Sequence, residues 1–147
     1  MCAGNICRSP AAEAAIREAA ALAGVDVVVD SAGTGAWHAG EAPDSRMREA
    51  AGAAGLDVTG RARRIDPSDF DAFDLIVAMD RSNLDHLVRM APSPQAAKKV
   101  ELFLSFAPSA GTMEVPDPYY GGPEGFERVV RLVRAAARGL VETIVRP

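Results

Sequence analysis

Segments of helical composition alternate along this chain with short runs of β-branched and apolar residues. The alanine-rich stretch 11–23 stops at Gly24, and the valines of 25–30 then favour a strand. Similar patterns predict strands over 74–79 and 98–104 and a long helix over 125–145. Strands separated by helices pair in parallel, and the helices cover the faces of the sheet. The alternation therefore predicts an α/β fold of the doubly wound type.

The size and charge of the chain exclude several classes of protein. Its 147 residues suit one domain, and 48% of them are apolar and 24% charged. The net charge of −4 argues against a nucleic-acid partner or an anionic membrane, because either would favour a basic face. We expect neither a membrane span nor a signal peptide. The expected location is therefore the cytoplasm, with Cys2 and Cys7 as free thiols.

Residues 2–9 carry the most specific chemical pattern, Cys-Ala-Gly-Asn-Ile-Cys-Arg-Ser, and run into the first helix. Successive backbone N–H groups of such a loop can form a nest for an anion, and the helix N-terminus adds further donors. Gly4 lets the backbone curl, and Arg8 can donate two hydrogen bonds to phosphate oxygens. The same field favours the thiolate form of Cys2, which is a nucleophile. Ser9 either donates its hydroxyl to that thiolate or caps the helix.

The spacing of Cys2 and Arg8 alone is weak evidence, because such pairs occur by chance in many proteins. The full string, however, resembles the diagnostic segment of the low-molecular-weight protein tyrosine phosphatases. That resemblance implies that Cys2 is the nucleophile of a phosphocysteine mechanism and that Arg8 binds phosphate and stabilises the transition state. It assigns the rest of the loop to substrate binding, namely Ala3, Gly4, Asn5, Ile6, Cys7 and Ser9. It also implies that Cys7 can form a protective disulfide with Cys2 under oxidation.

A second segment, 115–120, reads Val-Pro-Asp-Pro-Tyr-Tyr. Asp117 lies between two prolines on a stiff loop, and attack of a cysteine on a phosphate ester needs an acid for the leaving group. Taken alone, the segment is better explained by a surface turn. The resemblance implies instead that Asp117 is the general acid and base and that Tyr119 forms a wall of the substrate cleft.

A third segment, 31–38, reads Ser-Ala-Gly-Thr-Gly-Ala-Trp-His. Its small residues allow a close approach to the phosphate loop. The resemblance implies that Ser31 supports that loop through Asn5 and that Trp37 lines the cleft, although core packing would also explain a tryptophan. His38 is left unassigned, and Asp80 is predicted to anchor backbone at a strand end. Because no His/Cys cluster has metal-ligand spacing, we expect no metal and no cofactor.

Three alternative functions are weighed against this one. Arsenate reductases with a similar loop need further cysteines downstream, and none follows Cys7. Arginine phosphatases of the same family tend to have threonine where Ile6 stands, so Ile6, Trp37 and Tyr119 favour phosphotyrosine. An inert anion-binding module would leave Asp117 unexplained. We therefore expect a protein tyrosine phosphatase whose partners are phosphotyrosine-containing proteins, and the sequence carries no indication of oligomeric state.

The resemblance extends over nearly the whole chain, in the expected order. It implies one domain over 1–147, built as three α-β-α layers with a four-stranded parallel sheet and the phosphate loop after the first strand. In the family a hydrophobic strand precedes the nucleophile, whereas only Met1 precedes Cys2 here. We therefore expect that the chain is truncated at its N-terminus, through a miscalled start, and lacks that strand.

Overall fold

A computed structural model describes residues 1–146 of the chain. Its regular elements are, in chain order, α1 (Arg8–Ala23), α2 (Ser45–Ala53), α3 (Asp69–Ala72), β1 (Ile76–Ala78), α4 (Arg81–Met90), α5 (Pro94–Ala97), β2 (Val100–Leu102), two 3-10 turns (Phe103–Phe106 and Pro108–Ala110) and α6 (Pro123–Val145). Among these residues, no helix combines the length and the apolar character needed to cross a bilayer.

Helices α1 and α6 pack against each other and form the largest part of the core. Helix α1 contributes mainly alanines, whose small side chains allow α6 to approach closely, and it ends at Gly24 in the left-handed conformation. Helix α6 buries a single stripe at helical spacing, made of Phe126, Val129, Val130, Val133, Ala136, Ala137, Leu140 and Val141. Near its end, Gly139 lies so close to the first 3-10 turn that an added Cβ would overlap the Phe106 carbonyl oxygen.

The parallel pairing predicted from the alternation is present. Strands β1 and β2 pair in parallel, with Ile76 opposite Val100. Beyond β1, the Met1 amino group donates to the Val77 carbonyl over 2.7 Å, and single parallel bridges then join residue 2 to residue 33 and residue 33 to residue 64. The α/β class is confirmed. The regular sheet has two strands, so the four-stranded sheet and the three layers stay predictions.

The strand predicted over 25–30 is not formed. Exposure alternates along this segment: Val27 and Val29 pack against the core, whereas Val28 is 88% exposed. Such alternation is that of an extended backbone. Within residues 1–146, however, the segment has no ladder partner, because no strand lies beside it. Hydrophobic alternation therefore gave the correct local conformation but not the pairing.

Candidate active site

The N-terminal loop curls immediately before α1 and turns its thiol towards the helix. Asn5 has φ 58° and is the one non-glycine residue with positive φ among residues 1–146. The helix begins at Arg8, and no side chain caps it. Ser9 lies within the first turn, with Oγ 3.0 Å from the Cys2 Sγ. Its hydroxyl therefore faces the thiol and is not a helix cap.

The side chain of Asn5 connects the loop to two other segments. Its Nδ2 donates to Ser9 Oγ over 2.9 Å and to Ser31 Oγ over 3.0 Å, while its Oδ1 accepts from the Arg63 backbone N–H at 3.0 Å. Ser31 in turn donates to Glu13 Oε2 over 2.6 Å. Because every polar atom of this buried amide has a partner, the curled loop is held in one shape.

Arg8 is almost completely buried and lies among acceptors. Its Nη1 donates to Asp80 Oδ2 over 2.6 Å and to the Val115 carbonyl over 3.1 Å, and its Nη2 lies 3.8 Å from Asp117 Oδ2. The other oxygen of Asp80 accepts the Asn83 N–H and so caps α4. The sequence predicted only a backbone anchor at Asp80. The ion pair was missed, and the available signal was a carboxylate directly after a strand of the parallel sheet.

A cleft of about 380 Å³ opens above the loop. It is lined by Cys2, Ala3, Gly4, Ile6, Cys7, Arg8, Trp37, His38, Asp117, Tyr119 and Tyr120. The structure thus brings together residues from the N-terminal loop, from the segment after residue 31 and from the Asp-Pro-Tyr segment. Of the predicted site residues, Asn5, Ser9 and Ser31 do not line the cleft, and they contact the loop instead.

Two neighbouring rings form one wall of the cleft by lying over glycines. Trp37 is 71% exposed, so it is not a core residue, and its ring covers Gly35, where a Cβ would overlap it. The ring of His38 covers Gly4, where an added Cβ would lie 2.9 Å from the His38 Cδ2. His38 Nδ1 lies 2.7 Å from Glu41 Oε2. This histidine, unassigned from the sequence, is therefore a residue of the cleft wall.

The cleft lining also includes a carboxylate and two tyrosines, and the rings of His38 and Tyr119 lie with centroids 6.3 Å apart. Asp117 Oδ1 accepts the Tyr119 N–H over 3.1 Å, which folds the loop back at the carboxylate, and the Asp117 side chain is 55% exposed. The rings of Tyr119 and Tyr120 meet edge to face with centroids 5.0 Å apart. The carboxylate is thus open to a molecule entering the cleft.

The two cysteines are free and buried. Burial, with a smaller contribution from the negative charge of Asp44, raises the pKa of Cys7 to about 12. Cys7 is consequently a neutral thiol at physiological pH. Within residues 1–146, no three His, Cys, Asp or Glu side chains are grouped as metal ligands.

Comparison with known proteins identifies the family. The family model described as low molecular weight phosphotyrosine protein phosphatase matches residues 1–147. A low molecular weight protein-tyrosine-phosphatase of Streptomyces coelicolor is 44% identical over 148 residues, covering 98% of this chain and 90% of the relative. A low molecular weight phosphotyrosine protein phosphatase of Schizosaccharomyces pombe is 46% identical over 129 residues, covering 86% of this chain and 82% of the relative.

The fold agrees with the sequence match. A crystal structure of a protein tyrosine phosphatase from Entamoeba histolytica, with Hepes in its active site, superposes with a TM-score of 0.95 at 40% identity, covering 98% of this chain and 93% of that one. On both grounds the chain belongs to the family of low molecular weight protein tyrosine phosphatases.

Proposed function

We propose that this protein hydrolyses phosphotyrosine in protein substrates through a phosphocysteine intermediate. The observation that carries the proposal is the convergence of Cys2, Arg8 and Asp117 in one cleft. The Cys2 thiolate attacks phosphorus, and the bond from phosphorus to the tyrosine oxygen breaks. The loop N–H groups and the Arg8 guanidinium stabilise the charge on the transferring phosphoryl group, and Asp117 donates a proton to the leaving phenolate.

The second step regenerates the thiolate. Asp117, now a carboxylate, takes a proton from water, whose oxygen attacks phosphorus and displaces the Cys2 sulfur. The Ser9 hydroxyl, 3.0 Å from the Cys2 Sγ, stabilises the sulfur as it leaves. Inorganic phosphate is released, and Asp117 is protonated again for the next turnover.

The walls of the cleft support an aromatic phosphoester as substrate. Trp37 and Tyr119 present aromatic rings in the lining of the cleft, and Ile6 adds an apolar side chain near the nucleophile. These features favour phosphotyrosine over phosphoarginine. A thiol relay of the arsenate reductase type is disfavoured because both cysteines of the chain belong to the loop. The proton donor at Asp117 argues against an inert anion-binding module.

We also propose that the chain acts as a single domain in which four parallel segments form one sheet between two helical layers. The hydrogen bonds that support this join the Thr34 N–H to the Cys2 carbonyl at 2.9 Å and the Met79 N–H to the Met1 carbonyl at 3.0 Å. In these bonds residues 1 and 2 lie between the segment at residue 33 and the residue that follows β1. Strand β1 in turn pairs with β2, which is the fourth segment.

Two substitutions test the proposed chemistry. The wild-type chain should hydrolyse phenyl phosphate in the presence of EDTA, and Cys2→Ser should abolish turnover. Asp117→Asn should slow turnover of phenyl phosphate by about a hundredfold or more, because the phenolate then leaves without a proton. The loss should be much smaller for 4-nitrophenyl phosphate, whose leaving group needs less help. A fully active Cys2→Ser variant would falsify the mechanism.

A further inference from the structure

The segment that carries Asp117 is held to the body of the protein by few polar contacts. Two hydrogen bonds lie within 116–121, from the Tyr119 N–H to Asp117 and from the Gly121 N–H to Pro118. Among residues 1–146, a single hydrogen bond connects this segment to the rest of the protein, from Arg46 Nη1 to the Tyr119 carbonyl over 2.9 Å. The contact between Arg8 and Asp117 is longer, at 3.8 Å.

Arg46 is itself held firmly on its other sides. Its Nε and Nη2 donate to the two oxygens of Asp44 over 3.1 and 2.9 Å, and this pairing lowers the pKa of the Asp44 carboxyl below its ordinary value. The guanidinium carbon lies 5.2 Å from the centroid of the Tyr119 ring and 4.7 Å from that of the Phe126 ring. The guanidinium is therefore fixed in place although it lies at the surface.

The same unit also contacts the phosphate loop. The Asp44 N–H donates to the Ile6 carbonyl over 2.8 Å. A short path of hydrogen bonds thus runs from the loop at Ile6 through Asp44 and Arg46 to the Tyr119 peptide. The carboxylate of Asp117 accepts from the N–H of that residue. This path connects the loop of Cys2 to the carboxylate of Asp117 through Arg46.

We infer that Arg46 is a positioning residue for Asp117. The inference rests on the proposed function, in which Asp117 protonates the leaving group. Arg46 fixes the Tyr119 carbonyl, and the Asp117 carboxylate is hydrogen-bonded to the N–H of the same residue, so the acid cannot keep its place when that carbonyl is released. A misplacement of about 1 Å at a reacting group can cost up to a hundredfold in rate.

The substitution Arg46→Met tests this because methionine keeps part of the apolar packing and removes every donor. The informative quantity is kcat/KM, which includes phosphorylation of Cys2 and departure of the leaving group. For phenyl phosphate it should fall by about tenfold, and for 4-nitrophenyl phosphate by less than about threefold, because only the first ester depends strongly on the acid. Inhibition by inorganic phosphate should be nearly unchanged.

A double-mutant comparison separates positioning of Asp117 from a merely structural role. In the Asp117→Asn background, Arg46→Met should lower kcat/KM for phenyl phosphate by less than about twofold, because no proton donor remains to be misplaced. If Arg46→Met lowered kcat/KM by the same factor in the Asp117→Asn background as in the wild type, the inference would be overturned. Equal losses of kcat/KM for the two esters in Arg46→Met would also overturn the inference, because they would indicate that the cleft lining at Tyr119 is damaged.

Control variants keep the test interpretable. Arg48 is exposed on the same helix, and its side chain makes no ion pair or hydrogen bond within residues 1–146, so Arg48→Met should leave both esters unaffected. If Arg46→Met unfolds, Arg46→Lys keeps the charge without the paired donors and should show a smaller loss of the same kind. Arg46→Met could leave kcat/KM unchanged for both esters while Cys2→Ser and Asp117→Asn lose activity as expected. That outcome would overturn the role of Arg46 and leave the proposed function standing. A wild-type chain that hydrolyses neither ester overturns the proposed function as well.

Discussion

Arg8 donates from Nη1 to the Asp80 carboxylate over 2.6 Å, and the arginine of this pair is almost wholly buried. Removing Asp80 would leave a buried cation with the Val115 carbonyl and the more distant Asp117 as its acceptors. Asp80→Ala should therefore lower the free energy of unfolding by about 3 kcal/mol in urea titrations. It should also raise the inhibition constant of inorganic phosphate, because Arg8 is no longer held in place.

Two further variants calibrate that result. Asp80→Asn keeps an oxygen for the helix cap and should lose less stability than Asp80→Ala. Asp85, which is exposed on the same helix, should tolerate alanine with little change. If Asp80→Ala were as stable as Asp85→Ala, the ion pair would have no structural role.

Because the pKa of Cys7 is raised, the free energy of unfolding should fall at alkaline pH. Burial shifts this pKa from near 9 to about 12, so the folded protein binds the thiol proton more tightly than the unfolded chain does. This contribution is fully present below about pH 9 and is lost as pH rises towards about 12. Between about pH 8 and about pH 10, the free energy of unfolding of the wild type should fall about 1 kcal/mol further than that of Cys7→Ala.

The same shift has a chemical readout. At about pH 8 iodoacetamide should leave Cys7 of the folded protein intact although Cys7 lines the cleft, because its raised pKa leaves almost no thiolate to react, as peptide mapping by mass spectrometry would record. Unfolded protein should be modified at both cysteines. Parallel stability curves for the wild type and Cys7→Ala, together with rapid modification of Cys7 in the folded state, would contradict the raised pKa.

The left-handed backbone of Asn5 can be separated from its side-chain contacts. Asn5→Gly removes the hydrogen bonds to Ser9, Ser31 and Arg63 but suits a φ of 58°. Asn5→Ala removes the same contacts and adds strain at Cβ. The alanine variant should therefore be less stable than the glycine variant by about 1 kcal/mol in urea titrations. Equal stabilities would mean that the loop relaxes out of its curl once the amide is lost.

Two glycines within helices should respond in opposite directions to alanine. Gly139→Ala places a Cβ on the Phe106 carbonyl oxygen and should force α6 away from the 3-10 turn, at a cost of about 2 kcal/mol or more. Gly52 in α2 has open space around its Cβ position, so Gly52→Ala should stabilise the protein by up to about 1 kcal/mol. Thermal unfolding followed by circular dichroism would compare them. A stabilised Gly139→Ala would contradict the close approach.

Local sequence patterns predicted α1, α6 and the curled loop before α1, because the causes are local. The alanines of α1, Gly24 at its end and the apolar stripe of α6 determine these elements within a few residues. Pairing is different, since a strand needs a neighbour. The segment 25–30 has the right residues and the right alternation of exposure, yet no strand lies beside it.

The residues of the site could be predicted from the sequence only where they belong to one short motif. Arg8 and Cys2 lie in one string, but the partner Asp80 lies 72 residues beyond Arg8, and its position after a strand does not by itself show which side chain it pairs with. His38 and Arg46 were missed for the same reason, because their roles come from what the fold places against Gly4 and Tyr119.

The distant partners of Arg8 also bear on how the protein is made. Its hydrogen bond to the Val115 carbonyl spans 107 residues of sequence. During synthesis Cys2 and Arg8 leave the ribosome long before Asp80, Asp117 and the terminal helix that complete their surroundings. Contacts of such separation form late in folding. The surroundings of Arg8 are therefore complete only when the last quarter of the chain has folded onto the first.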